Sequence, residues 1–118
     1  MTEQLYNKKS KEELKRVLDS EPFERTTLSF YKYTPINNLE SFRDKLYHDL
    51  TNFSVLGRVY VANEGINAQI SVPEGNKELL YDYINSIKFL HNIHIKEAIE
   101  EGESFYKLII KIKNEIVA

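Results

Sequence analysis

The stretch Gly57–Val72, GRVYVANEGINAQISV, decides the fold. Val59 and Val61 alternate with Arg58 and Tyr60, and Ile66, Ala68 and Ile70 alternate with Asn67 and Gln69. A period of two marks strands with one buried and one open face. Two such strands around Asn-Glu-Gly read as a hairpin. Cross-strand partners share a face, so the valines must pair with the Ile66, Ala68, Ile70 set. The expected register sets Val61 opposite Ala68. It leaves Glu64-Gly65 as a two-residue turn, or Asn63 to Ile66 as a four-residue loop. Gly65 is expected to supply the positive φ of that turn.

The same alternation appears upstream in TTLSFYKY, where Leu28 and Phe30 oppose Thr27, Ser29, Tyr31 and Tyr33. Pro35 ends that strand. A helical period follows through Leu39, Phe42, Leu46 and Leu50, with Asn37 and Glu40 spaced as a cap and its N3 partner. Downstream of the hairpin, Pro73, Gly75 and Asn76 break the chain. KELLYDYINSIKFL then resumes a helical stripe through Leu80, Ile84 and Ile87. HIKEAIEEGE is mixed, with a short strand and an acidic loop expected. FYKLIIKIKN is the last strand, with Leu108, Ile110 and Ile112 on one face.

The order is β-α-β-β-α-β. That predicts an α+β, ferredoxin-like (acylphosphatase-like) split βαβ fold, an antiparallel sheet with two helices on one face. Residues 26–118 form this domain. Residues 1–25 read as a helical extension, in which Ser10 and Glu13 space a capping box ahead of Leu14, Val17 and Leu18.

The 118 residues and the 42% apolar, 29% charged mix suit one globular domain. A net charge of −2 means that a nucleic acid must be met by a local patch. The chain has no cysteine, which excludes disulfides, thiolate metal sites and cysteine catalysis within it. A small chain without such staples fits the cytoplasm. No signal peptide or membrane-length apolar run occurs, so no membrane partner is expected. No cofactor or metal is expected either. His91 and His94 have a ligand-like spacing but no acid or thiol arranged around them, and His48 stands apart. Acylphosphatase chemistry would need a backbone phosphate cradle after the first strand. Here YKYTPINN offers no glycine, and Pro35 removes a donor. Glu97, Glu100, Glu101 and Glu103 read as a solvated acidic patch.

The sheet face turned away from the helices carries the candidate site. Tyr31, Tyr33, Arg58, Tyr60, Asn67 and Gln69 fall on it by alternation. The last strand adds Lys107 and Lys111, since the first and last strands of this fold are expected to be neighbours. Aromatic rings among cations and amides suit stacking on unpaired RNA bases. The same composition suits a protein interface. Glu64 reads either as a turn residue or as an interface contact.

FYKYTPI (30–36), GRVYVANEGINAQISVP (57–73) and FYKLIIKIKNEIVA (105–118), in this order, resemble the tRNA wobble-uridine hydroxylase family, whose members carry a rhodanese-like domain. The resemblance spans residues 26–118. It implies an N-terminal acylphosphatase-like domain, a following rhodanese-like domain with a cysteine in its active loop, and oxygen-dependent conversion of the tRNA wobble uridine to 5-hydroxyuridine. This chain lacks that cysteine, so no catalytic residue is assigned in it. The expected roles are an accessory, tRNA-binding domain facing the anticodon region, or a structural domain that orients the rhodanese-like part without touching RNA. Alone, the chain is expected neither to hydroxylate tRNA nor to transfer sulfur.

Overall fold

The computed structural model describes residues 12, 13, 16, 24–98 and 106–116. The capping box of the expected N-terminal helix, apart from Glu13, and most of the acidic patch lie outside these residues. The elements are β1 (Arg25–Tyr33), α1 (Leu39–Asn52), β2 (Leu56–Ala62), β3 (Gly65–Pro73), α2 (Lys77–Ser86), β4 (Lys96–Ala98) and β5 (Leu108–Ile112). Short 3-10 turns flank α2 at Glu74–Asn76 and Lys88–Leu90.

The expected α+β class holds. The first four strands lie in the order β4-β1-β3-β2, all antiparallel, and β5 joins the outer edge of β2 in parallel. The expected neighbourhood of first and last strands is thereby corrected. The strand beside β1 is the short β4, which pairs Thr27–Ser29 with Ala98–Lys96. β5 lies at the opposite edge. The physical reason is in the side chains. Leu108 and Ile110 need the covered half of the sheet beside Val59 and Val61, and parallel pairing with β2 puts them there. The three residues of β4 are all exposed, as an edge strand allows.

The core forms between one sheet face and both helices. Leu28, Phe30, Val59, Val61, Ile66, Ala68, Ile70 and Val72 meet Leu46 and Leu50 of α1 and Leu80 and Ile84 of α2. Each fully buried aliphatic side chain of this kind contributes roughly 1.5–3 kcal/mol. The expected burial of Val59 and Val61 is met, with Arg58 exposed on the other face.

Helix ends differ from the expected caps. Asn38, not Asn37, precedes α1; it is left-handed (φ 53°) and makes no side-chain cap bond. Its carbonyl instead accepts from the Phe42 N–H at 3.0 Å, closing the first turn. α2 stops at Ser86, and Ile87 is extended before the 3-10 turn. Between the helices, Asp49 accepts from Tyr83 Oη at 2.7 Å and from Lys45 Nζ at 2.8 Å. Burial alone would raise the Asp49 pKa, but these two donors and the nearby positive charge hold it below the usual carboxylate value. Burial and the same bond push the Tyr83 phenol up. At the edge, Tyr81 and Lys77 of α2 both bond Glu97, tying β4 to the helix layer.

Candidate functional site

The hairpin register is two residues off the expected one. Val59 pairs with Ala68, Val61 with Ile66 and Ala62 with Gly65. A shift of two keeps every side chain on its face, which is why the faces were legible while the partners were not. The turn is Asn63-Glu64, and neither residue has a positive φ. Gly65 is the first residue of β3, so its expected role as the turn glycine is corrected. A Cβ there would lie 2.2 Å from the Lys32 carbonyl oxygen and 3.0 Å from Tyr33 Cα. Glycine is required by the close approach of β1.

The turn fastens two other segments. Asn63 Nδ2 donates to the Ile36 carbonyl at 3.0 Å, and the Ile36 N–H donates to the Asn63 carbonyl at 3.0 Å. The Thr34 N–H donates to the Glu64 carbonyl at 2.9 Å. The Glu64 carboxylate accepts from the Ile116 N–H at 3.0 Å, and the Ile116 side chain is buried against Gly65. That bond ties Glu64 to the segment after β5, at the rim of the sheet rather than on its open face.

Apart from Lys107, the remaining expected residues come together on that open face. The ladders align Tyr31 with Asn67, Asn67 with Tyr60, and Tyr60 with Lys111, so one row crosses β1, β3, β2 and β5. A neighbouring row runs Lys96, Ser29, Gln69, Arg58, Ile109. Tyr33 lies opposite Gly65 at the end of β1 and makes an edge-to-face contact with Tyr31, centroids 6.4 Å apart. Both rings are more than half exposed, at 56% and 57%. Lys107 is on the same side but near the far end, just before β5, where its carbonyl accepts from the Gly57 N–H at 2.9 Å. It stands apart from the tyrosine row.

Two groups escaped the sequence reading. Lys113 Nζ sits over the Tyr60 ring, 4.8 Å from its centroid. Its spacing from Lys111 was the available signal. Lys96 joins the open face because β4, not β5, neighbours β1. Among the described residues, the open-face strand positions include Arg25, Arg58, Lys96 and Lys111 and no carboxylate. Arg58, Tyr60, Asn67 and Gln69 bound a shallow depression of about 190 Å³.

No group of three or more His, Asp or Glu side chains among the described residues could hold a metal ion. His91 Nδ1 lies 3.1 Å from the Asn85 carbonyl. No described helix is long and apolar enough to cross a membrane.

The model of the UPF0176 acylphosphatase-like domain matches residues 25–116. A tRNA uridine(34) hydroxylase of Buchnera aphidicola (strain Tuc7) is 46% identical over 96% of this chain and 35% of its own length. One from Leptospira interrogans is 44% identical over 97% of this chain and 31% of its own. One from Photorhabdus laumondii is 44% identical over 97% and 33%. The chain thus spans about a third of the curated relatives it matches. Among solved structures, the Klebsiella pneumoniae BlrP1 manganese/cy-diGMP complex aligns with a TM-score of 0.61 at 14% identity, covering 77% of this chain and 24% of that one. Full-length HypF aligns at 0.55 and 16%, covering 83% and 14%. At such identities these two likenesses show the fold alone.

Proposed function

The chain belongs to the UPF0176 acylphosphatase-like domain family, and from that premise we propose that it is the accessory, tRNA-binding domain of a tRNA uridine hydroxylase. The proposed parent reaction is oxygen-dependent and forms 5-hydroxyuridine at the wobble position. Its chemistry would belong to a rhodanese-like domain elsewhere in the protein, since this chain supplies no cysteine.

One observation carries the reading. A row of Tyr31, Asn67, Tyr60 and Lys111 crosses a sheet face whose strand positions, among the described residues, bear cations and no carboxylate. Tyr31 and Tyr60 stand two strands apart, about 10 Å at the backbone. That spacing suits splayed bases of an anticodon-type loop rather than a continuous stack. Stacking one base on an aromatic ring contributes about 1–3 kcal/mol. Lys111 and Lys113 flank Tyr60, where a phosphate next to the stacked base would pass.

The test uses full-length protein and unmodified tRNA. Tyr60→Ala and Lys111→Ala should weaken binding, and Lys111→Ala should lower the salt slope by about 0.7. Melting temperature should stay near that of the wild type, because Lys111 is exposed and Tyr60 lies outside the core. Unchanged tRNA binding with lowered thermal stability would refute the reading and assign the face to contact with the rhodanese-like domain.

A further inference from the structure

We infer that Tyr81 and Lys77 of α2 are positioning residues for nucleic-acid binding: by clasping Glu97 they hold β4 on the sheet edge and so fix Lys96 on the open face. The inference rests on the RNA reading of that face. β4 has three residues, all exposed, so burial does little to keep it in place. The Glu74 N–H to Glu24 carbonyl bond and the Thr34 N–H to Glu64 carbonyl bond, both 2.9 Å, turn the even positions of β1 toward β3. Thr27 and Ser29 therefore turn their backbone groups toward β4, where they meet Ala98 and Lys96. A strand held by so short a ladder opens readily unless something else restrains it.

Alternation gives that restraint to Glu97. It lies on the helix side of β4, while Lys96 and Ala98 lie on the open side. The Tyr81 hydroxyl donates to Glu97 Oε2, and Lys77 Nζ lies 3.4 Å from Glu97 Oε1. Both donors stand on fixed ground. The Tyr81 ring packs against the core. Lys77 opens α2 and lies 3.5 Å from the carboxylate of Glu74, whose N–H is bonded to Glu24 just before β1. The Tyr81 bond holds the Glu97 carboxyl below its usual value against the desolvation that opposes it, and Lys77 adds to the fall, so the group accepts as a carboxylate. Ile95 also packs against the core, one pleat earlier. Lys96 thus stands between two anchors, and Glu97 is the one that polar bonds control.

Lys96 lies opposite Ser29 and diagonal to Tyr31 on the same face. It carries the cationic surface past β1. A phosphate beside a base stacked on Tyr31 comes within its reach, as one beside Tyr60 comes within reach of Lys111. If β4 lifts, this cation leaves the face.

The experiment measures binding of unmodified tRNA to the full-length protein over a range of salt concentrations. Hydrogen exchange at the Thr27, Ser29 and Lys96 amides reports whether β4 stays docked. Lys96→Ala should weaken binding about fivefold at about 0.1 M salt and lower the salt slope by about 0.7, the share of one phosphate contact. Tyr81→Phe keeps the ring and changes no charge. It should nevertheless quicken exchange at the three amides about tenfold and lower the salt slope by at least about half the Lys96→Ala amount. The double variant should bind no more weakly than Lys96→Ala alone. Glu97→Gln keeps an acceptor for Tyr81 and should quicken exchange less than Glu97→Ala. Wild-type exchange in Tyr81→Phe, or quickened exchange with an unchanged salt slope, would overturn the inference. Wild-type binding by Lys96→Ala with weakened binding by Tyr60→Ala would also overturn it and leave the RNA reading standing. Wild-type binding by Tyr60→Ala and Lys111→Ala as well would overturn the RNA reading, and the inference with it.

Discussion

Replacing Gly65 by alanine tests the central claim about the hairpin. A Cβ at this position would meet the Lys32 carbonyl oxygen at 2.2 Å, Ile116 Cδ1 at 2.9 Å and Tyr33 Cα at 3.0 Å. Carbon atoms rest about 3.5–4.0 Å apart. Ile116 can rotate away, but the other two atoms are backbone and cannot. Over-packing with flexible neighbours typically costs about 1–3 kcal/mol. Here β1 and β3 must part where Tyr33 opposes Gly65, which also strains the Thr34 N–H to Glu64 bond beside it. One such bond contributes about 1 kcal/mol. The expected loss is therefore about 2–4 kcal/mol, or a melting temperature lower by about 6–24 °C for a domain near this size. Urea unfolding followed by circular dichroism measures it. Gly75→Ala is the control: nothing lies within 4 Å of its added carbon, so it should be neutral or stabilising by up to about 1 kcal/mol. A Gly65→Ala chain within about 0.5 kcal/mol of wild type would refute the close-approach argument.

Asn63→Ala should cost about 1–2 kcal/mol in the same assay, because the buried segment at Ile36 loses the donor to its carbonyl. Its effect should exceed that of alanine at the exposed Asn52, at the end of α1. The Asp49 carboxyl is held below its unfolded value, so its share of stability is present above about pH 4 and is lost as pH falls through the lowered folded pKa. Unfolding free energies measured between pH 7 and pH 2 should accordingly drop less in Asp49→Asn than in wild type.

Much of the fold was legible because alternation is a local signal. Leu28, Val59, Ile66 and Ile110 each announce a buried face within a few residues. Partner identity is not local. The hairpin register could be shifted by two without moving any side chain off its face. What decided it, the passage of the Lys32 carbonyl over Gly65, joins residues distant in sequence. The place of β5 was illegible for a similar reason. A βαββαβ pattern names the strand after α2 as the neighbour of β1. Here Lys96–Ala98 takes that place with three exposed residues and no hydrophobic signature. The stronger-looking strand, Leu108–Ile112, pairs instead with β2 at the opposite edge. The open-face residues were identified by parity alone, which is why Tyr31, Tyr60, Asn67, Gln69 and Arg58 came together while Lys107 did not join their row.

The run Asn63-Glu64-Gly65-Ile66-Asn67 divides its work by geometry. In the turn, Asn63 and Glu64 face neither side of the sheet, so their polar groups are spent on Ile36 and Ile116. Gly65 and Ile66 give up solvent to let β1 and the helix layer close in. Only from Asn67 onward does alternation return a polar group to the open face. A polar residue in this motif is therefore no guide to ligand contact until its place in the pleat is known. Glu64, the one carboxylate of the run, is the clearest case: the Ile116 backbone N–H already occupies one of its oxygens. Its place at the rim keeps its charge off the strand positions of the open face.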